Sequence, residues 1–449
     1  MRLLPIAVLV LLAGCQKAPD SKPAANGPKQ LTARIVDSGF PDSHDSYNAI
    51  SCASDGKIYY VLSSEKPDAG ARMYSYDPTS AAVQYIGDLT EAAGEKDAHA
   101  ISQGKSHVSF IESRGKLYFA THIGYYSIID GMEKPGIPPK GMGKYPGGHF
   151  LSYDTSTGKF ESHAVAPRNE GIITFNMDTR RQRLYGLTWP TGRFVRYDLP
   201  AKSFKDLGPV SEQGEDGKGK TFRTICRSLA VNPEDGSVYF STSDGAIHRY
   251  DYATESISVM NDDLKKDYFG LYDPSSAGHM GYNWRQTFFY GPEKAIYGVH
   301  GNSGYLFRYL TASDAVEVLD RITSEDSKHS GMFDQFSYGY LGFTLGPDGK
   351  TIYYLTGGPV FENGRRVRGK DSTAKGESKG RENLHLVTWD IPARKYTDHG
   401  PIFFTNGQRP NYVNSIAVGK DGSVYCLSRV SEDDHAKTDL IRIAPVLAQ

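Results

Sequence analysis

One phrase recurs along this chain and limits what it can fold into: short strand, tight turn, strand, polar loop, a strand closing on Tyr-Asp, then a further turn and strand. It begins at Asn48-Ala49-Ile50-Ser51, turns at Asp55-Gly56, runs through Ile58-Tyr59-Tyr60-Val61 and returns as Met73-Tyr74-Ser75-Tyr76-Asp77. It recurs at Leu117-Tyr118-Phe119 with Tyr153-Asp154, Leu184-Tyr185-Gly186 with Tyr197-Asp198, and Val238-Tyr239-Phe240 with Tyr250-Asp251. It continues at Ile296-Tyr297-Gly298 with Tyr309, Ile352-Tyr353-Tyr354 with Trp389-Asp390, and Val424-Tyr425-Cys426 with Ile441-Arg442-Ile443. Seven units with four strands' worth of chain predict an all-β fold, a seven-bladed β-propeller, over a β-sandwich, whose strands do not repeat so regularly. The last unit lacks its outermost strand, while the strand-like segment Leu31–Val36 stands ahead of the first. The ring is therefore expected to close with an N-terminal strand, which removes an exposed edge.

Composition agrees: 30 Tyr, 20 Phe and 48 Gly suit many short strands and tight turns. Lys plus Arg (51) nearly cancel Asp plus Glu (52), so no global charge draws the chain to nucleic acid, and any anion site must be local. Ahead of the repeat, Arg2 and an apolar run end in Leu12-Ala13-Gly14-Cys15, too short to span a bilayer and shaped like an export leader. These residues resemble a bacterial lipobox, which implies lipidation of Cys15, and Gln16 resembles the sorting residue of lipoproteins sent to the outer membrane. The expected organisation is a leader over residues 1–15, a flexible tether over 16–30 and the propeller over 31–449, with the membrane reached through the lipid on Cys15. The odd number of remaining cysteines, Cys52, Cys226 and Cys426, argues for free thiols rather than a disulfide framework.

The repeat also sorts residues onto two faces. Short Asp-Gly and Arg-Gly hairpins join the first two strands of most units on one face. The other face receives the long segments 123–148, 208–224, 261–281, 323–339 and 357–382, and loops of that length often carry function. Flanking the inner strands there are His107, Arg223, Arg227, Tyr282, Asn283, Trp284, Arg285, Tyr338 and Tyr340, with His122, Trp189, Arg193, His300 and Asn302 on the leaving strands. This funnel is the candidate substrate site, although each residue also has a structural reading as a satisfied side chain, and Arg193 and Arg227 could brace neighbouring blades. The Gly147-Gly148 pair before His149 either admits a close backbone approach or makes a turn. Seven Lys and Arg between residues 362 and 381 read either as a solvated loop or as a basic lid for a polyanion.

Carboxylates are scarce at these positions, Glu170 and Asp334 being the obvious ones, which argues against a glycosidase pair or a divalent-metal site. His, Tyr and Arg suit β-elimination on a uronate: a cation neutralises the sugar carboxylate, a base takes the C5 proton, and an acid protonates the leaving oxygen. Trp189 and Trp284 would stack sugar faces. The phrases Ala120-Thr121-His122 and Gly147-Gly148-His149 resemble the paired histidines of propeller-type ulvan lyases, exported enzymes that cut a sulfated, uronate-containing polysaccharide by elimination. The resemblance implies catalytic roles for His122 and His149 and a partner Tyr and Arg, for which Tyr185, Arg193, Arg223 and Arg227 are the candidates. An acidic or sulfated polysaccharide is the expected partner, with a non-catalytic glycan-binding propeller as the alternative. No cofactor is expected. A structural metal ion is left open, since zinc would use His with Cys226 or Cys426, though no close ligand spacing supports it.

Overall fold

The computed structural model describes residues 30–277, 280–328, 342–359, 361–362, 365–366, 382–410, 412–430 and 437–447. The chain is all-β and propeller-like. Five four-stranded antiparallel sheets follow one another: 50–88, 111–165, 171–209, 230–263 and 284–321. An eight-stranded sheet follows, in which Gly342–Leu345, Thr351–Pro359, Glu382–Asp390 and Lys395–Phe404 lead through Leu31–Val36 to Thr438–Ile443, Val424–Arg429 and Ala417–Val418. Leu31–Val36 pairs antiparallel with Thr438–Ile443, supplying the strand that the last repeat lacks. It also pairs in parallel with Lys395–Phe404, with Leu31 opposite Ile402.

Each sheet touches the next. Ser51 Oγ donates to the Phe110 carbonyl at 3.1 Å, Thr174 Oγ1 to the Cys226 carbonyl at 2.6 Å, and the Ser228 and Thr287 hydroxyls meet at 2.9 Å. The Phe150 and Phe175 rings lie 5.9 Å apart, those of Phe288 and Phe343 5.5 Å apart, and Tyr425 of the eight-stranded sheet meets Tyr76 of the first at 5.9 Å. The neighbour order thus runs from the first sheet back to it. The recurring Tyr, Phe, Leu and Val of the second and third strands fill the layers between sheets, where burial stabilises by about 25 cal/mol per Å² of apolar surface.

A register shift between third and outermost strands recurs in all six of these sheets, beside Met73, Phe150, Arg193, Ala246, Leu306 and His385. Such a bulge bends the outer strand and re-aims its side chains. Gly148 meets the close-approach reading of its sequence: a Cβ there would stand 2.4 Å from the Thr121 carbonyl oxygen and 2.5 Å from the Ile172 nitrogen. Cys52, Cys226 and Cys426 are free thiols, the last two buried.

Candidate functional site

Inner strands and the segments leading into them line a cavity of about 320 Å³, with Asn48 ahead of the first sheet and His107, Asn176, Arg227, Gln286 and Thr344 among the residues on its wall. At one end, where the inner strands begin, aromatic and titratable side chains crowd together. Tyr47, directly ahead of the first inner strand, stacks on His107 with ring centroids 4.2 Å apart. His107 meets His122 edge-on at 4.6 Å, and His122 meets Trp189 at 5.5 Å, with Tyr126 alongside. Lys105 and His122 exchange backbone hydrogen bonds of 2.9 and 2.7 Å, which fixes the lysine beside the imidazoles. Its side chain is only 2% exposed. The ammonium is 2.6 Å from Glu65 and lies over the Tyr126 ring.

A buried cation needs a partner, and three of the cations here are held by carboxylates. Lys105 has Glu65, Arg227 has Glu215 at 2.6 Å, and Arg429 binds Asp45 through two contacts of 2.6 Å. Glu215 also accepts the Trp189 indole N–H at 2.9 Å. Burial alone would raise the Glu65 carboxyl, but His44 and Lys105 outweigh it and bring it down to about 2. Burial, followed by the charges of His122, Lys105, Arg227 and Arg285, holds His107 well below the usual imidazole value. His122 is likewise depressed by burial, then by Lys105 and Arg227. Both rings are therefore neutral near pH 7, and among the described residues His107 Nε2 and His122 Nδ1 find no hydrogen-bond partner. The Tyr47 phenol is pushed well above its usual range by burial, then by Tyr412 and Asp45, and its hydroxyl lies 3.0 Å from that of Tyr412.

Of the residues singled out by sequence, the structure brings His107, His122, Trp189 and Arg227 together at this mouth, with the charge of Arg285 acting on His107. His149 has other partners, Glu95 and Ser162, so the two histidines of the resemblance have separate surroundings. Tyr185 belongs to the packed core between the third and fourth sheets, fully buried against Phe194 and Tyr250, because it sits mid-strand rather than at a strand end. Trp284 is fully buried and donates its indole N–H to the Ser228 carbonyl, so it offers no sugar platform. Arg193 pairs with Asp206 and Arg223 with Asp244. Asn283 bridges Thr224 and Ser241, Asn302 donates to the Gly281 carbonyl, and the Tyr282 hydroxyl accepts the Tyr272 N–H. His300 stacks on Phe269 at 4.4 Å, bonds Ser303, and is lowered by burial to about 3. Glu170 is consumed by Thr188 and Thr191. Cys15, Tyr338, Tyr340, Asp334 and the side chains of the basic segment 362–381 lie outside the described residues.

Sequence reasoning missed Tyr47, Lys105, Tyr126, Glu65 and Arg429. Tyr47 had a usable signal, since it precedes its inner strand as His107 precedes the next. Lys105 had none, because lysine is ordinarily a surface residue. Among the described residues no group of three or more His, Cys, Asp or Glu is placed to hold a metal ion.

No family profile and no curated protein matches the chain. Solved structures to which it is similar include a chain of the mitotic checkpoint complex, at 12% identity over 97% of this chain and 99% of that one, with a TM-score of 0.49. A luciferin-regenerating enzyme matches at 12% identity over 94% and 96%, TM-score 0.42. A structural genomics protein of unknown function from Bacteroides thetaiotaomicron VPI-5482 matches at 10% over 93% and 76%, TM-score 0.40. Likenesses this distant decide nothing about function.

Proposed function

We propose that the chain is an exported seven-bladed propeller, lipid-anchored at Cys15 in the outer membrane, that cleaves an acidic, uronate-containing polysaccharide by β-elimination at the channel mouth. The observation that carries the reading is the neutral, unpartnered Nε2 of His107, a residue that lines the cavity together with Arg227. A cation near the sugar carboxylate acidifies the C5 proton, and a neutral imidazole can accept it. The C5–H electrons then form the C4–C5 double bond, the C4–O bond breaks, and the departing oxygen takes a proton from Tyr47, whose raised phenol is a donor at neutral pH. Hydrolysis by a carboxylate pair is less well supported, because Asp45, Glu65 and Glu215 are each held by a cation.

A second reading has its own support. Those same ion pairs leave the mouth's Lys105, Arg227 and Arg429 neutralised before any ligand arrives, which suits a glycan-binding propeller without turnover. Ultraviolet absorbance of unsaturated uronate, followed over a panel of acidic polysaccharides, separates the two. The lyase reading expects a rising signal that falls about 100-fold or more in His107→Ala while sugar binding persists. Binding without signal from the folded wild type overturns it in favour of the binding module.

A further inference from the structure

His149 lies away from the mouth, but its surroundings have a chemistry of their own. It opens the third strand of the second sheet, His149–Asp154, beside the outermost strand Lys159–Val165. Ser162 stands opposite Leu151, two residues from His149 on the same face, and the bulge beside Phe150 aims its hydroxyl at the ring. His149 Nδ1 is 2.7 Å from Ser162 Oγ, and His149 Nε2 is 2.7 Å from Glu95 Oε1. Glu95 is itself oriented, its Oε2 accepting from Gln103 Nε2 at 2.8 Å, and Gln103 is held by the Gly147 carbonyl, Thr121 and Tyr145. The histidine side chain is 5% exposed and the glutamate 13%, while Ser162 is open to solvent. With the carboxylate accepting the Nε2 proton, Nδ1 presents its lone pair to the serine hydroxyl, the polarity that a nucleophile, base and orienting acid require.

The same diagonal position in other sheets is occupied by braces: Arg193 with Asp206, His385 with Asp398, and Arg72 over Tyr85. In the second sheet the outer partner is an exposed hydroxyl, and an acid stands behind the ring. We propose that Ser162, His149 and Glu95 form an acyl-transfer site on the edge of this sheet, acting on small carboxylic esters. Ser162 Oγ attacks the ester carbonyl as His149 Nδ1 takes its proton. The tetrahedral adduct collapses to acyl-Ser162, and the departing alkoxide takes that proton from His149. Water, deprotonated by the same nitrogen, then releases the acid. An outermost strand leaves N–H groups on its open side without a strand partner, the kind of donor that an oxyanion needs. Glu95 does not touch the substrate; it is the positioning residue that fixes the imidazole tautomer.

The test treats the full chain with a fluorophosphonate probe, locates the label by peptide mass spectrometry, and follows p-nitrophenyl acetate hydrolysis. Label on Ser162, lost together with hydrolysis in Ser162→Ala at an unchanged melting temperature, is the expected result. Glu95→Gln should lower kcat by about 100-fold or more with little change in KM, a split that a merely structural role would not produce. An unlabelled Ser162 in folded wild-type protein, hydrolysis that survives Ser162→Ala, or an unaffected kcat in Glu95→Gln overturns the proposal. None of these readouts depends on the channel mouth.

Discussion

Gly171→Ala should disturb the mouth through a single methyl group. A Cβ built on Gly171 stands 2.2 Å from His122 Nδ1 and 2.8 Å from its Cε1, well inside van der Waals contact. The glycine is fixed by pairing with Trp189, and the imidazole is 1% exposed, wedged against His107 at 4.6 Å and Trp189 at 5.5 Å. Neither side can retreat by more than an ångström without disturbing the cluster, so the overpacking cost belongs near the upper end of the usual range of about 1–3 kcal/mol. With an unfolding entropy of roughly 2.1 cal/mol/K per residue over about 400 residues, 2–3 kcal/mol lowers the melting temperature by about 2–4 °C. Gly291→Ala is the control, because a Cβ there meets nothing within 4 Å. Differential scanning calorimetry of both variants, and of Gly171→Ala in a His122→Ala background, measures the clash directly. The alanine should cost less by about 1–2 kcal/mol once the ring is gone. Equal melting of the Gly171 and Gly291 variants, or a cost unchanged by removing His122, refutes the argument.

Two further outcomes follow from the same geometry. Tyr185→Phe removes a buried hydroxyl that has no hydrogen-bond partner among the described residues, so stability should change by no more than about 0.5 kcal/mol and any activity at the mouth should persist. A lost activity in the stable variant would contradict its place in the core. For Glu65, a folded value of about 2 against 4.5 means its stabilisation is present above pH 4.5 and is lost as pH falls toward 2. The melting gap between wild type and Glu65→Gln should be open at pH 6 and closed near pH 2; a gap independent of pH would exclude the ion pair with Lys105.

The β architecture was legible because its signals are local. Asp-Gly and Arg-Gly hairpins and strands closing on Tyr-Asp each declare their own unit, and Leu31–Val36 declared itself by having no place in the first unit. The mouth was legible only in part. Position at a strand end says which end of the channel a residue occupies, but successive side chains of a strand alternate between faces. His107 and Arg227 face the cavity, whereas Trp284, chosen by the same rule, turns into the layer between sheets and bonds the Ser228 carbonyl. The Lys105–Glu65 and Arg429–Asp45 pairs join residues far apart in the chain, and no spacing announces a buried ion pair before the chain has folded.

Arg193 and His149 both stand at the recurring bulge. Each stands at the start of a third strand, as Arg72 does, and His385 takes the corresponding place beside the bulge of Glu382–Asp390. The bulge sets the residue there against a partner on the outer strand, so a polar side chain at this point is first a brace that ties a weak edge to its sheet. Sequence sees the polar residue at a strand boundary near a long loop; it does not see the diagonal partner that consumes it. Arg193 is consumed by Asp206, a carboxylate that cannot act as a donor or nucleophile while so held. His149 meets a hydroxyl instead, and a hydroxyl that donates its hydrogen bond to an imidazole lone pair becomes more nucleophilic by doing so. The same backbone device thus leaves one sheet with a locked edge and another with a reactive one, and the difference lies in the residue the bulge turns toward the ring.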